Sequence, residues 1–358
     1  MLTQDLKFSG FVMAIGIGAG LALSAPAASA QVELSYSPWL PEGYALNAAV
    51  LRPWMEEVES ITEGRVTFNW LPTAAGTAAT QFDVVQDGLA DMSLVLPGYT
   101  PGRFPLLELG ELPLLSSDMS VLGPTFYEVY EEYLAPLNPT PGTHVISLWS
   151  TIPTHVVSGR TLIHDLSDFG GQRMRAPSST AVAVMDQFGA VPIQRPVSEI
   201  YELATTGVID GSFFPISTNP NFDTDGPLNY TTLVPGGLGQ SVMMLLVNEA
   251  KWNAISEEDR EAIMAISGRD FAQQASDVFA AEEAEAISLV RAERPDEIIV
   301  ASDELLEQME AAVQPVFEAW YESAAARGLD DPAAVLQEFR SRLAEREADT
   351  LENSDGRQ

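Results

Sequence analysis

Cysteine is absent from this 358-residue sequence, and lysine occurs only at Lys7 and Lys251. Without cysteine, a disulfide framework, a zinc-thiolate site, a thiol nucleophile and a lipid-modified cysteine are all excluded. Histidine occurs only at His144, His155 and His164, and this spacing fits no metal site. The sequence also has no phosphate-binding glycine-rich loop and no nucleophile elbow. We therefore predict a protein that is not an enzyme and that holds no cofactor or metal.

Positive charge is scarce as well. The chain has 18 lysines and arginines against 51 aspartates and glutamates, a formal net charge of -33. Such a surface repels nucleic acids and anionic membranes, so neither is an expected partner. It also repels a free anion, so a site that binds an acid needs its own local positive charge. A hydrophobic content of 46% over this length is enough to bury the cores of two lobes.

Residues 1–30 have the pattern of a secretory signal peptide. Lys7 lies in a short polar head, residues 11–23 form an apolar run, and Ala28 and Ala30 give a small-x-small cleavage site. A membrane anchor is the alternative, but the apolar run is shorter than the ~20 residues that a spanning helix needs. We predict export to a bacterial periplasm, cleavage near Ala30 and no membrane insertion of the mature chain.

Strand-like and helix-like segments alternate along the rest of the chain. Apolar residues at three- and four-residue spacings predict a helix over residues 48–61, with strands on both sides. This order predicts an α/β fold with a largely parallel sheet, in which ligands bind at the carboxyl ends of strands. Trp39 and Tyr99 lie at such ends. A second unit follows the strand predicted at 145–149, and the apolar run at 241–248 is long enough to return to the first unit.

A helix predicted over residues 257–291 is long enough to connect the two units. At about 1.5 Å per residue it would extend about 50 Å, the width of two lobes rather than one. We therefore expect two α/β lobes, crossing hinge strands and a long strut helix. The expected boundaries are 31–152 with 241–280 for lobe I, 153–240 with 281–345 for lobe II, and 346–358 for a flexible acidic tail.

Arg175 lies in the most informative segment of the chain. A strand-like run ends at Pro177 and leads into a helix-like run over residues 180–188. A guanidinium group at this junction can hold a carboxylate through two parallel hydrogen bonds, and the N–H groups at the start of the helix add to the attraction. Because arginines are mostly exposed, a surface arginine in a loop is the alternative.

Several motifs resemble those of the DctP-type solute-binding proteins of TRAP transporters. They are Gly-Gly-Gln-Arg-Met-Arg-Ala-Pro at 170–177, Gly-Ala-Val-Pro at 189–192 and Gly-Val-Ile-Asp-Gly at 207–211, and the resemblance spans nearly the whole mature chain. It implies a two-lobed periplasmic binding protein that closes on a small organic acid. It also implies delivery of the acid to the membrane subunits of a sodium-coupled TRAP permease, with Arg175 holding the ligand carboxylate.

Two places differ from the better-known sialic-acid-type members. His155 stands where those proteins have a second arginine, and Phe213 and Phe214 stand where they have a polar amide. Both differences remove polar contacts, so we expect a monocarboxylate with an apolar, aromatic or branched body. Because neighbouring residues of a strand point to opposite faces, only one of the two phenylalanines is expected to face the ligand, and the sequence leaves open which.

The remaining candidate ligand contacts are Trp39, Tyr99, Trp149 and Asn219. Each aromatic residue could line an apolar cavity or pack in the core. His155 could donate a hydrogen bond to the ligand or lie at the interface of the lobes. Two other functions stay open: a sensory binding protein that feeds a signalling receptor would have the same pocket, and an exported hydrolase would need a nucleophile-base or metal constellation.

Overall fold

Two β-sheets and the helices around them form the fold of the part of the chain that the structure describes. The computed structural model describes residues 31–224 and 226–355, with side chains to residue 350; the predicted signal peptide lies outside this part. The strands are β1 Val32–Ser37, β2 Val66–Trp70, β3 Met92–Val95, β4 Thr143–Ser150, β5 His155–Ser158, β6 Arg173–Ala176, β7 Val191–Gln194, β8 Gly211–Phe214, β9 Tyr230–Leu233, β10 Val242–Asn248 and β11 Ile298–Val300. The α-helices are α1 Arg52–Ile61, α2 Gln81–Gln86, α3 Met119–Val129, α4 Ser179–Gln187, α5 Ile200–Thr205, α6 Glu249–Ala254, α7 Glu257–Ala265, α8 Gly268–Glu293, α9 Asp303–Ala312, α10 Gln314–Ala325 and α11 Pro332–Asp355.

The first sheet has the strand order β2-β1-β3-β10-β4. Strand β1 pairs in parallel with β2 and β3, whereas β10 is antiparallel to both β3 and β4. The predicted return of the apolar run at 241–248 to the first unit is confirmed. Because this returning strand inserts between β3 and β4, the sheet is mixed rather than largely parallel.

The second sheet has the order β11-β9-β5-β8-β6-β7. Strand β6 pairs in parallel with β7 and β8, and β5 is antiparallel to β8 and β9. Together the two sheets confirm the predicted α/β, two-lobed architecture. None of the described helices combines the length and the apolar character that crossing a bilayer requires.

Two chain segments cross between the sheets side by side. One joins β4 to β5 and the other joins β9 to β10. The Thr151 N–H donates to the Ser241 carbonyl oxygen over 2.8 Å, and the Leu238 N–H donates to the Thr154 carbonyl oxygen over 2.9 Å. These hydrogen bonds hold the two crossing segments together. Paired segments of this kind permit a hinge motion of one lobe relative to the other.

Helix α8 contacts both sheets. The Ser147 hydroxyl of β4 donates to the Gly268 carbonyl oxygen over 2.7 Å, and near the other end Glu283 accepts the Ile216 N–H over 2.9 Å. The 26 residues of α8 extend about 39 Å. The predicted single helix over residues 257–291 is wrong, because the chain leaves helical geometry at Ser267 and Gly268 has a φ of +55°.

The last helix, α11, packs against α3 beside the first sheet. The Phe126 and Phe339 rings lie 5.8 Å apart, and Arg346 forms an ion pair with Glu128 at 2.6 Å. We expected a flexible tail from residue 346. Instead, the helix continues to Asp355, and the ion pair of Arg346 fixes the first part of this segment to α3. The expected place of residues 332–345 in lobe II also differs, since this segment lies on the first lobe.

Replacing Gly268 with alanine tests the break between α7 and α8. A Cβ atom at this position would lie 2.7 Å from the Tyr127 hydroxyl oxygen, and the backbone is left-handed. We expect Gly268→Ala to lower the free energy of unfolding by about 2–5 kcal/mol, the sum of the left-handed backbone cost and overpacking.

Gly64→Ala is the matched control for this measurement by urea denaturation. Gly64 has a φ of +75°, and a methyl group added there would have no neighbouring atom within 4 Å, so the substitution carries the backbone cost alone. Its loss should be about 1–2 kcal/mol. Equal losses in the two variants would contradict the packing argument at Gly268.

Candidate ligand-binding site

A cavity lies between the two sheets, beside the crossing segments. The residues around it come from the carboxyl ends of β4, β6 and β8 and from the start of β10, which agrees with the expectation for ligand sites in α/β sheets. Among the described residues that line it, Arg175 alone carries a charge. The lining residues are Trp39, Leu40, Tyr44, Leu96, Tyr99, Thr151, Ile152, Thr154, Arg175, Pro177, Val197, Phe213, Phe214, Pro215, Thr218, Phe222, Ser241, Met243 and Phe279.

Arg175 is held on the second sheet by its neighbours in β7 and β8. It pairs in register with Ile193 and Ser212. Only 2% of its surface is exposed. Its Nε atom donates to the Arg195 carbonyl oxygen over 2.9 Å, which fixes the direction of the guanidinium group. The Nη2 atom is buried and has no hydrogen-bond partner within the described chain.

The charge of Arg175 has no paired carboxylate among the described side chains. Glu199 acts on it from a distance, and that carboxylate is paired with Arg195 at 3.4 Å. Burial lowers the pKa of Arg175, and the Tyr99 phenol partly opposes this effect. A buried cation without a counter-ion costs several kcal/mol, which makes Arg175 a candidate anion-binding residue.

Arg173 shows what a paired arginine looks like on the same strand face. Its guanidinium Nη2 donates to Asp210 Oδ1 over 2.8 Å, and its Nε donates to Asp210 Oδ2 over 3.1 Å. Its side chain is 41% exposed. Two residues along β6, Arg175 has the opposite setting, buried and without such a partner. Arg173 thus forms a structural ion pair, whereas Arg175 is a candidate ligand contact.

Aromatic rings surround the guanidinium group. The carbon at the centre of the Arg175 guanidinium lies 6.0 Å from the Phe214 ring centroid, within the range of a cation–π contact. The Trp39 and Tyr99 rings meet edge to face, 6.2 Å apart. The Trp39 Nε1–H donates to the Leu94 carbonyl oxygen over 2.8 Å, and the Tyr99 hydroxyl oxygen accepts the Val197 N–H over 3.2 Å. Trp39 therefore offers the cavity its ring rather than its N–H.

Phe213 and Phe214 both border the cavity. Phe213 also packs among the rings of Phe169 and Phe188, at 6.3 and 6.4 Å, on the core side of β8. Phe214 lies in a different apolar cluster and faces Arg175. The alternation along the strand thus separates the two rings, and Phe214 is the one beside the guanidinium group.

The volume of the cavity limits the size of a ligand. The cavity leaves about 60 Å³ for the centres of water molecules, enough for about four to six waters. At ~30 Å³ per water, these would occupy about 120–180 Å³. A single-ring carboxylic acid has this size.

Several residues of the cavity were not predicted from the sequence. They include Tyr44 and Phe279, whose rings meet edge to face at 6.3 Å. Thr151 and Ser241 were expected from the sequence near the hinge, but not as residues that line the cavity. Tyr44 belongs to the same loop region as Trp39, and that proximity could have indicated it. Phe279 lies on the apolar face of α8, where the sequence gives no sign that one ring reaches a cavity.

Trp149 does not reach the cavity, which corrects the expectation for this residue. It is fully buried, and its ring lies 5.4 Å from the Phe271 ring of α8. The physical reason is the direction of its side chain: β4 directs Trp149 towards the helix that covers the first sheet. The large Trp149 side chain fills the core between β4 and α8.

His155 and Asn219 also lie away from this cavity. The His155 Nδ1 atom accepts the Val234 N–H over 3.2 Å, and its Nε2 atom lies 3.9 Å from Glu283, beside a second, hinge-side cavity. The buried Asn219 accepts the Thr224 hydroxyl over 2.7 Å and closes a turn. Both side chains therefore form hydrogen bonds with other residues of the protein rather than facing this cavity.

Comparisons with known proteins place this site in a family context. Residues 38–324 match the family model DctP, described as bacterial extracellular solute-binding protein, family 7. Among curated relatives, the "Outer membrane transporter protein TsaT" of Comamonas testosteroni is 25% identical over 299 residues, 82% of this chain and 87% of the relative.

Two solved structures are similar over most of their length. A TRAP periplasmic solute-binding protein of Bordetella bronchiseptica with bound (R)- and (S)-mandelate is 32% identical with a TM-score of 0.82, covering 88% of this chain and 99% of that one. A marine metagenome TRAP solute-binding protein specific for aromatic acids, in complex with 3-hydroxybenzoate, is 27% identical with a TM-score of 0.80 and the same coverage.

The neutral, buried state of His155 predicts a pH dependence of stability. Burial lowers its pKa from 6.5 to about 4, so the folded chain resists protonation that the unfolded chain accepts. The free energy of unfolding should therefore decrease by up to about 3 kcal/mol as the pH drops from about 6.5 to about 4. In His155→Asn, whose amide oxygen can still accept the Val234 N–H, urea denaturation at pH 7 and pH 4.5 should show a smaller loss than in the wild type. If the free energy of unfolding falls equally in both proteins between pH 7 and pH 4.5, His155 is not the source of the pH dependence.

Proposed function

Because the chain belongs to the DctP family of bacterial extracellular solute-binding proteins, we propose that it is the solute-binding subunit of a TRAP transporter. Its ligand is a monocarboxylate with an aromatic or other apolar body. The observation that carries this proposal is the buried, unpaired guanidinium group of Arg175 inside a cavity lined by aromatic rings.

The carboxylate of the ligand pairs with Arg175. The free Nη2 atom and the fixed orientation of the guanidinium group leave it ready to donate to a carboxylate without a large loss of side-chain entropy. In a cavity closed to water, a charge-assisted pair is stronger than on the surface. The anion also supplies the counter-charge that the buried cation lacks.

The body of the ligand lies against the rings of the cavity. Trp39, Tyr99, Phe214 and Phe279 offer apolar area and ring edges suited to stacking. A second carboxylate would be buried without a cation, since no other charged side chain lines the described cavity. The acids named with the two solved relatives, mandelate and 3-hydroxybenzoate, have one carboxylate and one ring, and they support the same class here.

Capture and delivery follow from the two lobes. In this proposal, the acid enters between open lobes in the periplasm, and closure about Thr151 and Ser241 buries it. The ligand favours the closed state only through its greater affinity for that state. The closed protein then docks on the membrane subunits of a sodium-coupled permease. Lobe I comprises residues 31–152 with 241–280, and lobe II is centred on residues 153–240.

Replacing Arg175 tests the proposed ligand contact. We expect Arg175→Ala to weaken the binding of 3-hydroxybenzoate and (R)-mandelate by about two to four orders of magnitude, because two charge-assisted hydrogen bonds are lost. Arg175→Lys should show an intermediate loss, since it keeps the charge but not the two-pronged geometry. Isothermal titration calorimetry measures both.

Arg173→Ala is the matched control, on the same face of the same strand. Its guanidinium group pairs with Asp210 outside the cavity, so ligand affinity should stay within about threefold of the wild type. Melting curves of the three variants report whether each remains folded. Unchanged affinity in Arg175→Ala, or an equal loss in Arg173→Ala, would contradict the assignment of the ligand contact.

A further inference from the structure

A second buried ionisable group lies close to the cavity and has no part in holding the ligand. Glu111 ends the 3₁₀ turn Leu107–Glu111, which belongs to the first half of the chain. It is 2% exposed, and neither carboxyl oxygen has a partner in good hydrogen-bond geometry within the described chain. A buried carboxylate without a cationic partner is costly, so this group needs an explanation.

The cover over Glu111 comes partly from the other sheet. A Cβ atom placed on Gly98 would lie 2.9 Å from Glu111 Oε1, 2.7 Å from Ser178 Cβ and 3.2 Å from the Pro177 carbonyl oxygen. Gly98 and Glu111 precede the first crossing segment, whereas Pro177 and Ser178 follow Arg175 and lead into α4, with Ser178 as its N-cap. The carboxyl group therefore loses water because the start of α4 rests against the first lobe. Separation of the two lobes would expose it.

The groups around Glu111 compensate a negative charge only in part. Glu108, on the same turn, repels it, whereas the Ser178 and Thr180 hydroxyl groups and the Val242 N–H act on the carboxyl group as uncharged donors and favour its ionised form. Burial, together with Glu108, raises the pKa of Glu111 to about 8, and burial raises that of Glu108 to about 7.

The remaining titratable neighbour is a phenol. Arg175 and Glu111 both act electrostatically on Tyr99, with opposite effects: Arg175 lowers the pKa of the phenol and Glu111 raises it. No described lysine or arginine forms an ion pair with Glu111. The carboxyl group thus has two ways to avoid an uncompensated charge: contact with water in an open cleft, or a proton in a closed one.

We propose that capture of the acid is coupled to the uptake of one proton at Glu111. In the open cleft, water solvates the carboxylate, which is ionised at neutral pH. Closure removes this water, and a proton from the solvent binds to a carboxyl oxygen of Glu111; no other bond forms or breaks. The protein therefore holds its anionic ligand and one added proton together. This inference rests on the proposed function, because it requires a cleft that closes on a carboxylate.

The direction of the pH dependence follows from the two states. The closed, liganded state binds more protons than the open state, so affinity must fall as the pH rises. The pKa of Glu111 rises from its ordinary value of 4.5 to about 8 when the group is buried. Between these two pH values, the affinity for the ligand should fall by up to about tenfold per pH unit. Above about pH 8 the contribution of Glu111 is lost.

Calorimetry with 3-hydroxybenzoate and (R)-mandelate tests the coupling. At pH 6.5, titrations in phosphate and in imidazole buffer, which differ in ionisation enthalpy, give the number of protons taken up with the ligand. We expect at least about one proton for the wild type and about one fewer for Glu111→Gln, whose amide resembles the protonated acid. The wild-type affinity should fall about tenfold from pH 6 to pH 7, and less in the variant. Glu261→Gln, an exposed position on α7, controls for the change in net charge.

Each result decides between the proposals. Binding with proton uptake that disappears in Glu111→Gln supports the coupling. Binding without uptake in the wild type, or with uptake unchanged in Glu111→Gln, overturns the coupling and leaves the proposed function standing. If neither acid binds to the wild type at millimolar concentration, the proposed function fails for this ligand class, and the coupling falls with it. The wild-type measurement decides the question even if the variant is unstable.

Discussion

The arrangement of the cleft depends on one buried positive charge that the fold leaves unpaired. The chain carries an excess of negative charge, and yet Arg175 has no carboxylate partner among the described residues, although Arg173 two residues away does. Burying the guanidinium group against aromatic rings costs free energy, and the proposed anionic ligand would offset this cost. Pro177 borders the same cavity, and the Arg195 carbonyl oxygen fixes the orientation of the guanidinium group within it.

The same apposition of the two lobes has opposite effects on the two ionisable groups. Around Arg175, the loss of water strengthens attraction to an incoming anion. Around Glu111, it makes an existing anion unfavourable. Closing the cleft therefore selects for one negative charge, that of the ligand, and against another, that of the protein.

The sequence predicted the parts of this structure that depend on local pattern. The alternation of strands and helices, the return of β10 and the position of Arg175 before Pro177 can all be read along the chain. The break at Ser267 and Gly268 was missed, because the apolar residues keep helical spacing on both sides of it, although the backbone of Gly268 is left-handed. The direction of Trp149 depends on which face of β4 meets α8, and a nearly continuous apolar strand does not encode this. Glu111 looked like an ordinary acidic residue because its cover comes from a distant part of the chain.

The anchoring of the Trp39 indole N–H to the Leu94 carbonyl has a consequence for discrimination between ligands. A pocket that recognises one part of a ligand by a charge and the rest by ring faces rejects molecules that lack the charge, but it distinguishes weakly between rings of similar size. An added or missing methylene in an apolar pocket is worth only about 1–3 kcal/mol, or about 10- to 200-fold. On the proposed function, this cleft is therefore expected to bind a range of related aromatic monocarboxylates with graded affinities.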